Sequence, residues 1–272
     1  MSVSSRIAYH LDELETAQDP LADDHIMPTV LPADKAILDV GCGIGQTLVS
    51  LGVSSLDAAG LNPIGLDSIS HGSHVSDDRL LVGIDIEHES LVFGQERFSS
   101  VGYVNSTAEV LPFAENTFDL VISRVALPYT NIPQALAEMY RVVKPGGRVW
   151  ITLHPKRKTF NQLMSALKEF RIKDIIFRTY ILTNGLYFHV FGNVFDFPFN
   201  QKTESFQTTK SITKALHASG FTELVVTRDR HFLATGSRAH FKGVTEGDKP
   251  HSVQQRPSQL APEALPQELP QN

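Results

Sequence analysis

The stretch Ile37-Leu38-Asp39-Val40-Gly41-Cys42-Gly43-Ile44-Gly45-Gln46 restricts the fold of this chain more than any other. Its apolar beginning reads as a buried strand, and Gln46-Thr47-Leu48-Val49 reads as the start of a helix. A strand, a tight glycine loop and a helix start let backbone approach a ligand closely. The glycine spacing is G-x-G-x-G, and a dinucleotide fingerprint would need its third glycine at position 46, which is Gln46. A phosphate-cradling loop would need Gly-Lys-Ser/Thr, and none follows. The loop therefore suits a nucleoside without a pyrophosphate, and the spacing speaks against a NAD-binding oxidoreductase.

Strand and helix signals alternate over residues 36–241, which implies a parallel sheet with helices on both faces. The strand candidates are 36–40, 80–84, 101–104, 118–123, 148–153, 221–227 and 231–236. A helix between the fourth and fifth is capped by Asn131, with Pro133 in its first turn and Leu136, Met139 and Val143 on one face. Pro145-Gly146-Gly147 is its predicted end. The last two strands are separated only by a turn near Arg228-Asp229-Arg230, so they must be antiparallel. Residues 1–34 form a leader or cap, 35–242 the ligand-binding domain with 155–208 as an inserted lid, and 243–272 a Pro/Gln/Glu-rich tail expected to be disordered. Residues 54–79 read as an irregular loop. Within the lid, Phe160, Leu163, Met164 and Leu167 mark an amphipathic helix, and Asn184-Gly185 between two β-prone runs predicts a hairpin.

The 272 residues suit one large α/β domain with an elaboration, and the net charge of −6 argues against a general nucleic-acid binder. The single cysteine, Cys42, cannot form an internal disulfide, which fits a reducing compartment. The N-terminus has no apolar signal region, and no run approaches the roughly 18 residues of a membrane span. The expectation is a soluble cytoplasmic protein.

Four further segments follow in order. Leu81-Val82-Gly83-Ile84-Asp85 is a strand ending in an acid, which can accept ribose hydroxyls. Asp57 is the alternative at the ordinary distance of about 20 residues past the loop, but Ser54-Ser55-Leu56 is no strand. Then come Asn105-Ser106-Thr107-Ala108-Glu109-Val110-Leu111-Pro112-Phe113, Phe118-Asp119-Leu120-Val121, and Arg141-Val142-Val143-Lys144-Pro145-Gly146-Gly147. Together with the glycine loop, these resemble the class I (Rossmann-like) S-adenosylmethionine (SAM) dependent methyltransferases of small-molecule type, over roughly residues 35–153. The resemblance implies a seven-stranded, mostly parallel sheet with helices on both faces and an antiparallel last strand.

The resemblance also implies roles by position. Asp39, Gly41, Cys42, Gly43 and Gly45 would surround the methionine part of SAM, Asp85 would bind the ribose, and Ile86 would lie against the adenine. Thr107, Ala108 and Glu109 would meet the adenine edge, and Ser123 would lie beneath the sulfonium. Thr107 departs from the family, which usually has Asp there. Asp119 and Lys144-Pro145-Gly146-Gly147 read as structural. No metal site is implied.

Methyl transfer is an in-line displacement with an excellent leaving group, so the protein mainly aligns the nucleophile and excludes water. Tyr129, His154 and Arg124 are the base or positioning candidates. The lid carries Phe160, Phe170, Phe177, Tyr180, Tyr187, Phe188, Phe191, Phe195, Phe197 and Phe199, which either line a pocket for an apolar or aromatic molecule or form a subdomain core or dimer face. Its cations, Lys156, Arg157, Lys158, Lys168, Arg171 and Lys173, form a solvated face or a peripheral contact with an anionic membrane. The competing function is a SAM-binding scaffold or sensor without transfer activity. The acceptor and the oligomeric state are not written in the sequence.

Overall fold

The computed structural model describes residues 7–8, 10–12, 26–57, 79–154, 156–229 and 231–240, without the side chains of 52–57 and 156–159. Seven strands form: β1 (Ala36–Val40), β2 (Leu80–Asp85), β3 (Gly102–Asn105), β4 (Phe118–Arg124), β5 (Val143–Leu153), β6 (Thr222–Arg228) and β7 (Phe232–Ser237). Their order is β3-β2-β1-β4-β5-β7-β6. β1 pairs in parallel with β2 and β4, and β5 continues in parallel from β4. β7 is antiparallel to both β5 and β6, so it alone runs reversed. All seven strand candidates are present.

The helices are α1 (Gln46–Asp57), α2 (His88–Arg97), α3 (Ile132–Val142), α4 (Lys156–Lys168), α5 (Ile172–Phe191) and α6 (Thr209–Ala218). The sheet separates two apolar layers by the period of two along its strands. Leu38, Val121, Val149 and Ile151 face α3 and α6, whereas Ile37, Leu120, Ile122 and Trp150 join Ile44 and Leu48 on the other side. β1 is buried at every position, as expected of a central parallel strand.

The cap of α3 is as predicted: the Asn131 side chain accepts from the Gln134 amide at 3.4 Å. Its end differs. The helix stops at Val142, because the Arg238 guanidinium and the amides of Asn116 and Thr117 take the carbonyls of residues 140–143. Lys144-Pro145-Gly146-Gly147 instead bulges within β5, whose pairing jumps from Phe118–Val143 to Leu120–Arg148. Residues 54–57, expected in a loop, continue α1, and 58–78 lie outside the described residues. The tail from 241 also lies outside them.

The lid hairpin is a misreading. Asn184-Gly185 lies inside α5, a 20-residue helix. The Asn184 amide donates to the carbonyls of Phe195 and Glu204, and its oxygen accepts from the Phe195 amide at 2.9 Å, bracing the segment after the helix. A Cβ on Gly185 would fall 2.2 Å from the Phe206 ring. The pair that resembles a turn therefore serves close packing and a buried polar brace. Gly185→Ala should destabilise the protein by about 1–3 kcal/mol through overpacking, seen as a lower urea midpoint. An unchanged midpoint would show that Phe206 moves aside freely.

Candidate functional site

The strand order reverses between β1 and β4, and a crevice at the carboxyl ends of such strands is where open α/β sheets bind ligands. The glycine loop lies there. Gly41 and Gly45 have φ of 81° and 87°, a left-handed backbone that side chains resist. The amides of Gly41 and Cys42 both donate to the Ile84 carbonyl, and the Gly43 amide donates to Asp85 Oδ2 at 2.9 Å. Asp85 thus ends β2 beside the loop, and its other oxygen accepts from the Glu87 amide ahead of α2. A carboxylate has about four acceptor sites, so it retains capacity for ribose hydroxyls. Asp57 lies at the end of α1, and its side chain is outside the described residues.

Asp39 is 1% exposed, and neither of its carboxylate oxygens has a hydrogen-bond partner. Burial pushes its pKa up to about 7, against the pull of the Arg124 guanidinium and the nearby Thr47 hydroxyl. Ser123 Oγ, on the adjoining end of β4, and Gln46 Oε1, at the start of α1, are likewise buried and unpartnered. Unsatisfied buried polar groups in one crevice call for a ligand that supplies donors. The ammonium of a SAM methionine moiety has the charge and the donors that Asp39 lacks.

Other candidates fall differently. Cys42 packs its sulfur over Gly83, where a Cβ would lie 2.5 Å away, and burial pushes its thiol pKa up. Only its backbone belongs to the loop surface. Glu109 Oε1 accepts from the Asn131 amide at 2.7 Å, so this carboxylate supports the start of α3. Ala108 is in the core, and Thr107 and Ile86 are exposed. Asp119 is structural, as expected: it accepts from the amides of Lys35 and Ala36 and pairs with Lys144 at 2.8 Å.

The catalytic candidates divide into two groups. Arg124 donates toward Thr47 Oγ1 at 3.5 Å, on the glycine-loop side. Tyr129 and His154 meet, with the phenol oxygen 3.2 Å from His154 Nε2. Burial, then the nearby Glu204, raise the Tyr129 pKa, opposed by Arg178, so the phenol keeps its proton and the imidazole is the better base. Three residues escaped the sequence reading. Tyr103 donates to the Ile44 carbonyl at 2.8 Å and packs under Gly45. His10 covers Gly43 and lies 3.1 Å from Gln46 Nε2. Thr47 lines the buried carboxylate. Only contacts between distant segments reveal the first two; Thr47 was legible as the second residue of the helix start.

Residues 74–151 match a family model described as a methyltransferase domain. Over that stretch the chain is similar to methyltransferase domains. Demethylmenaquinone methyltransferase from Symbiobacterium thermophilum is 35% identical to it over 119 residues, covering 41% of this chain and 39% of that protein. Malonyl-(acyl-carrier protein) O-methyltransferase from Marinomonas sp. is 31% identical over 161 residues, covering 55% and 52%. The match thus spans about half or less of each of these relatives. A chain from the complex between the Haloferax volcanii Trm112 methyltransferase activator and a methyltransferase superposes at TM-score 0.53 and 14% identity, over 87% of this chain and 96% of that one. At such identity the likeness shows the fold of the domain alone.

Proposed function

We propose that this protein transfers the methyl group of SAM to a small apolar or aromatic acceptor by in-line displacement. The supporting observation is the buried, unpartnered Asp39 carboxylate at the sheet reversal, beside the loop that Asp85 pins. Asp39 would hold the methionine ammonium, Asp85 the ribose, and the backbone of Gly41, Gly43 and Gly45 the space between them. Ile86 would cover the adenine, with Thr107 and the backbone of Ala108 at its edge. Bound SAM supplies an electrophilic methyl group on a sulfonium. The acceptor atom would bond to that carbon as the carbon–sulfur bond breaks and its electron pair returns to sulfur. His154 would take the proton released by the acceptor, and Tyr129 would hold the imidazole in place. Arg124 would keep the Asp39 charge balanced.

The relatives named for demethylmenaquinone and for a malonyl carrier protein differ in acceptor, and an apolar one accords with the aromatic cluster of Phe177, Tyr180, Phe195 and Phe197 beyond β5, although these rings pack on one another. An acceptor of that kind partitions into lipid, and peripheral contact with a membrane surface accords with it. Among the described residues no helix is long and apolar enough to cross a membrane. The single cysteine accords with a reducing compartment, and the proposed location is the cytoplasm.

The test is conversion of SAM to S-adenosylhomocysteine (SAH) by the purified protein with a lipid extract of cells. His154→Ala should lower turnover by about 10²–10⁴-fold, the usual yield of general base catalysis, and Tyr129→Phe by less. Both should bind SAH as the wild type does. SAH binding without turnover in any extract would favour the scaffold reading. Wild-type turnover by His154→Ala would remove it as the base.

A further inference from the structure

The helical arm beyond β5 carries apolar residues on its outside. α4 and α5 meet at the corner Glu169-Phe170-Arg171, where Phe170 is 85% exposed and Ile172 is 69% exposed. Phe160, Met164, Leu167 and Ile176 are exposed as well. Scattered exposed apolar residues are ordinary, but six within residues 160–176 form the kind of patch that marks a binding surface. Phe170 also has a φ of 51°, in the left-handed region at a helix end where glycine is the usual occupant. A phenyl group is thus kept in water on a strained backbone, two costs with no return inside the fold.

The charges around it are mostly positive. Residues 156–178 contain seven Lys or Arg against two Asp or Glu, in a chain whose net charge is −6. Both acids, Glu169 and Asp174, pair with Arg171. Lys168 and Lys173 are exposed on either side of Phe170. We propose that the α4–α5 corner docks this protein on an anionic lipid bilayer, with Phe170 and Ile172 at headgroup depth and the lysines on the lipid charges. An aromatic tip between cations suits that boundary, where rings enter the apolar edge and ammonium groups stay in water. A second copy would bring two cationic faces together and be repelled. The inference rests on the methyltransferase reading in one respect: α4 starts two residues after His154, so the docked corner is joined by a single helix to the strand end that carries the proposed base.

Sedimentation with vesicles tests this, using the full chain, neutral phosphatidylcholine, and the same lipid with a third of phosphatidylglycerol. The protein should sediment with the anionic vesicles and be released by salt. Lys168→Ala and Lys173→Ala should each weaken binding about fivefold. The double variant Phe170→Ser/Ile172→Ser should weaken it at least about tenfold while its melting temperature and its SAH-induced rise stay at wild-type values. No sedimentation, or equal sedimentation with both vesicles, overturns the proposal. So does a dimer in solution that Phe170→Ser dissociates, with no vesicle binding. Vesicle binding by a protein that SAH fails to stabilise would uphold the docking surface and discard the cofactor reading instead.

Discussion

Asp39→Asn should make the ligand-free protein more stable at pH 8 and its SAH complex weaker. In the native state burial raises the Asp39 pKa from 3.8 to about 7, opposed by Arg124 and Thr47, with Asp85 adding to the rise. The unfolded chain releases this proton at the ordinary value, so between the two the native state binds more protons. Stability contributed by the protonated form is therefore present at low pH and lost as pH rises from about 4 to 7. At about 1.4 kcal/mol per unit, the loss is on the order of 4 kcal/mol. Asparagine is neutral throughout but leaves a buried amide in want of partners, a cost of about 1–3 kcal/mol. The net gain at pH 8 should be about 1–3 kcal/mol, with none at pH 5. Urea denaturation at the two pH values reads it, and a wild-type stability flat between them would remove Asp39 from this role. Ligand binding has the opposite dependence. An ammonium selects the ionised carboxylate, so wild-type affinity should fall as pH drops below about 7. Asparagine should weaken SAH binding at pH 8 by about 1.5–3 kcal/mol, the range for a charged hydrogen bond.

Asp85→Ala should weaken SAH binding by a similar amount, about 1.5–3 kcal/mol, for a different reason. Its carboxylate would accept the ribose hydroxyls while already accepting from the amides of Gly43 and Glu87. Removal deletes a ligand contact and frees the loop that forms the rest of the site. Calorimetric titration with SAH gives the magnitude, and Asp57→Ala serves as the control. A loss on Asp57→Ala with none on Asp85→Ala would move the ribose site to the end of α1.

Most of the sheet was legible because its signals are local. Each strand is a short β-prone run between turn residues, and the period of two that places Ile37 and Leu38 on opposite faces needs no knowledge of a partner strand. The α3 cap was legible for the same reason. The lid was not. Asn184-Gly185 carries the turn chemistry of a hairpin, but the Asn184 side chain finds its partners at residues 195 and 204, and Gly185 answers to Phe206. Tertiary contacts overrode a sound local preference. Within the site, the positions of Asp39 and Asp85 could be read from strand ends, whereas the engagement of Glu109 with Asn131 could not.

The sequence by itself determined the strand–glycine loop–helix unit, the alternation that produces a mostly parallel sheet, and the antiparallel pairing of its last two strands. These follow from side-chain periodicity and backbone freedom, which act over a few residues. Tertiary structure alone decided which carboxylate is buried without a partner, which base meets Tyr129, and which aromatic groups remain in water. Those outcomes depend on desolvation and on contacts between segments such as β1 and β4 or Tyr129 and His154, which no local window contains.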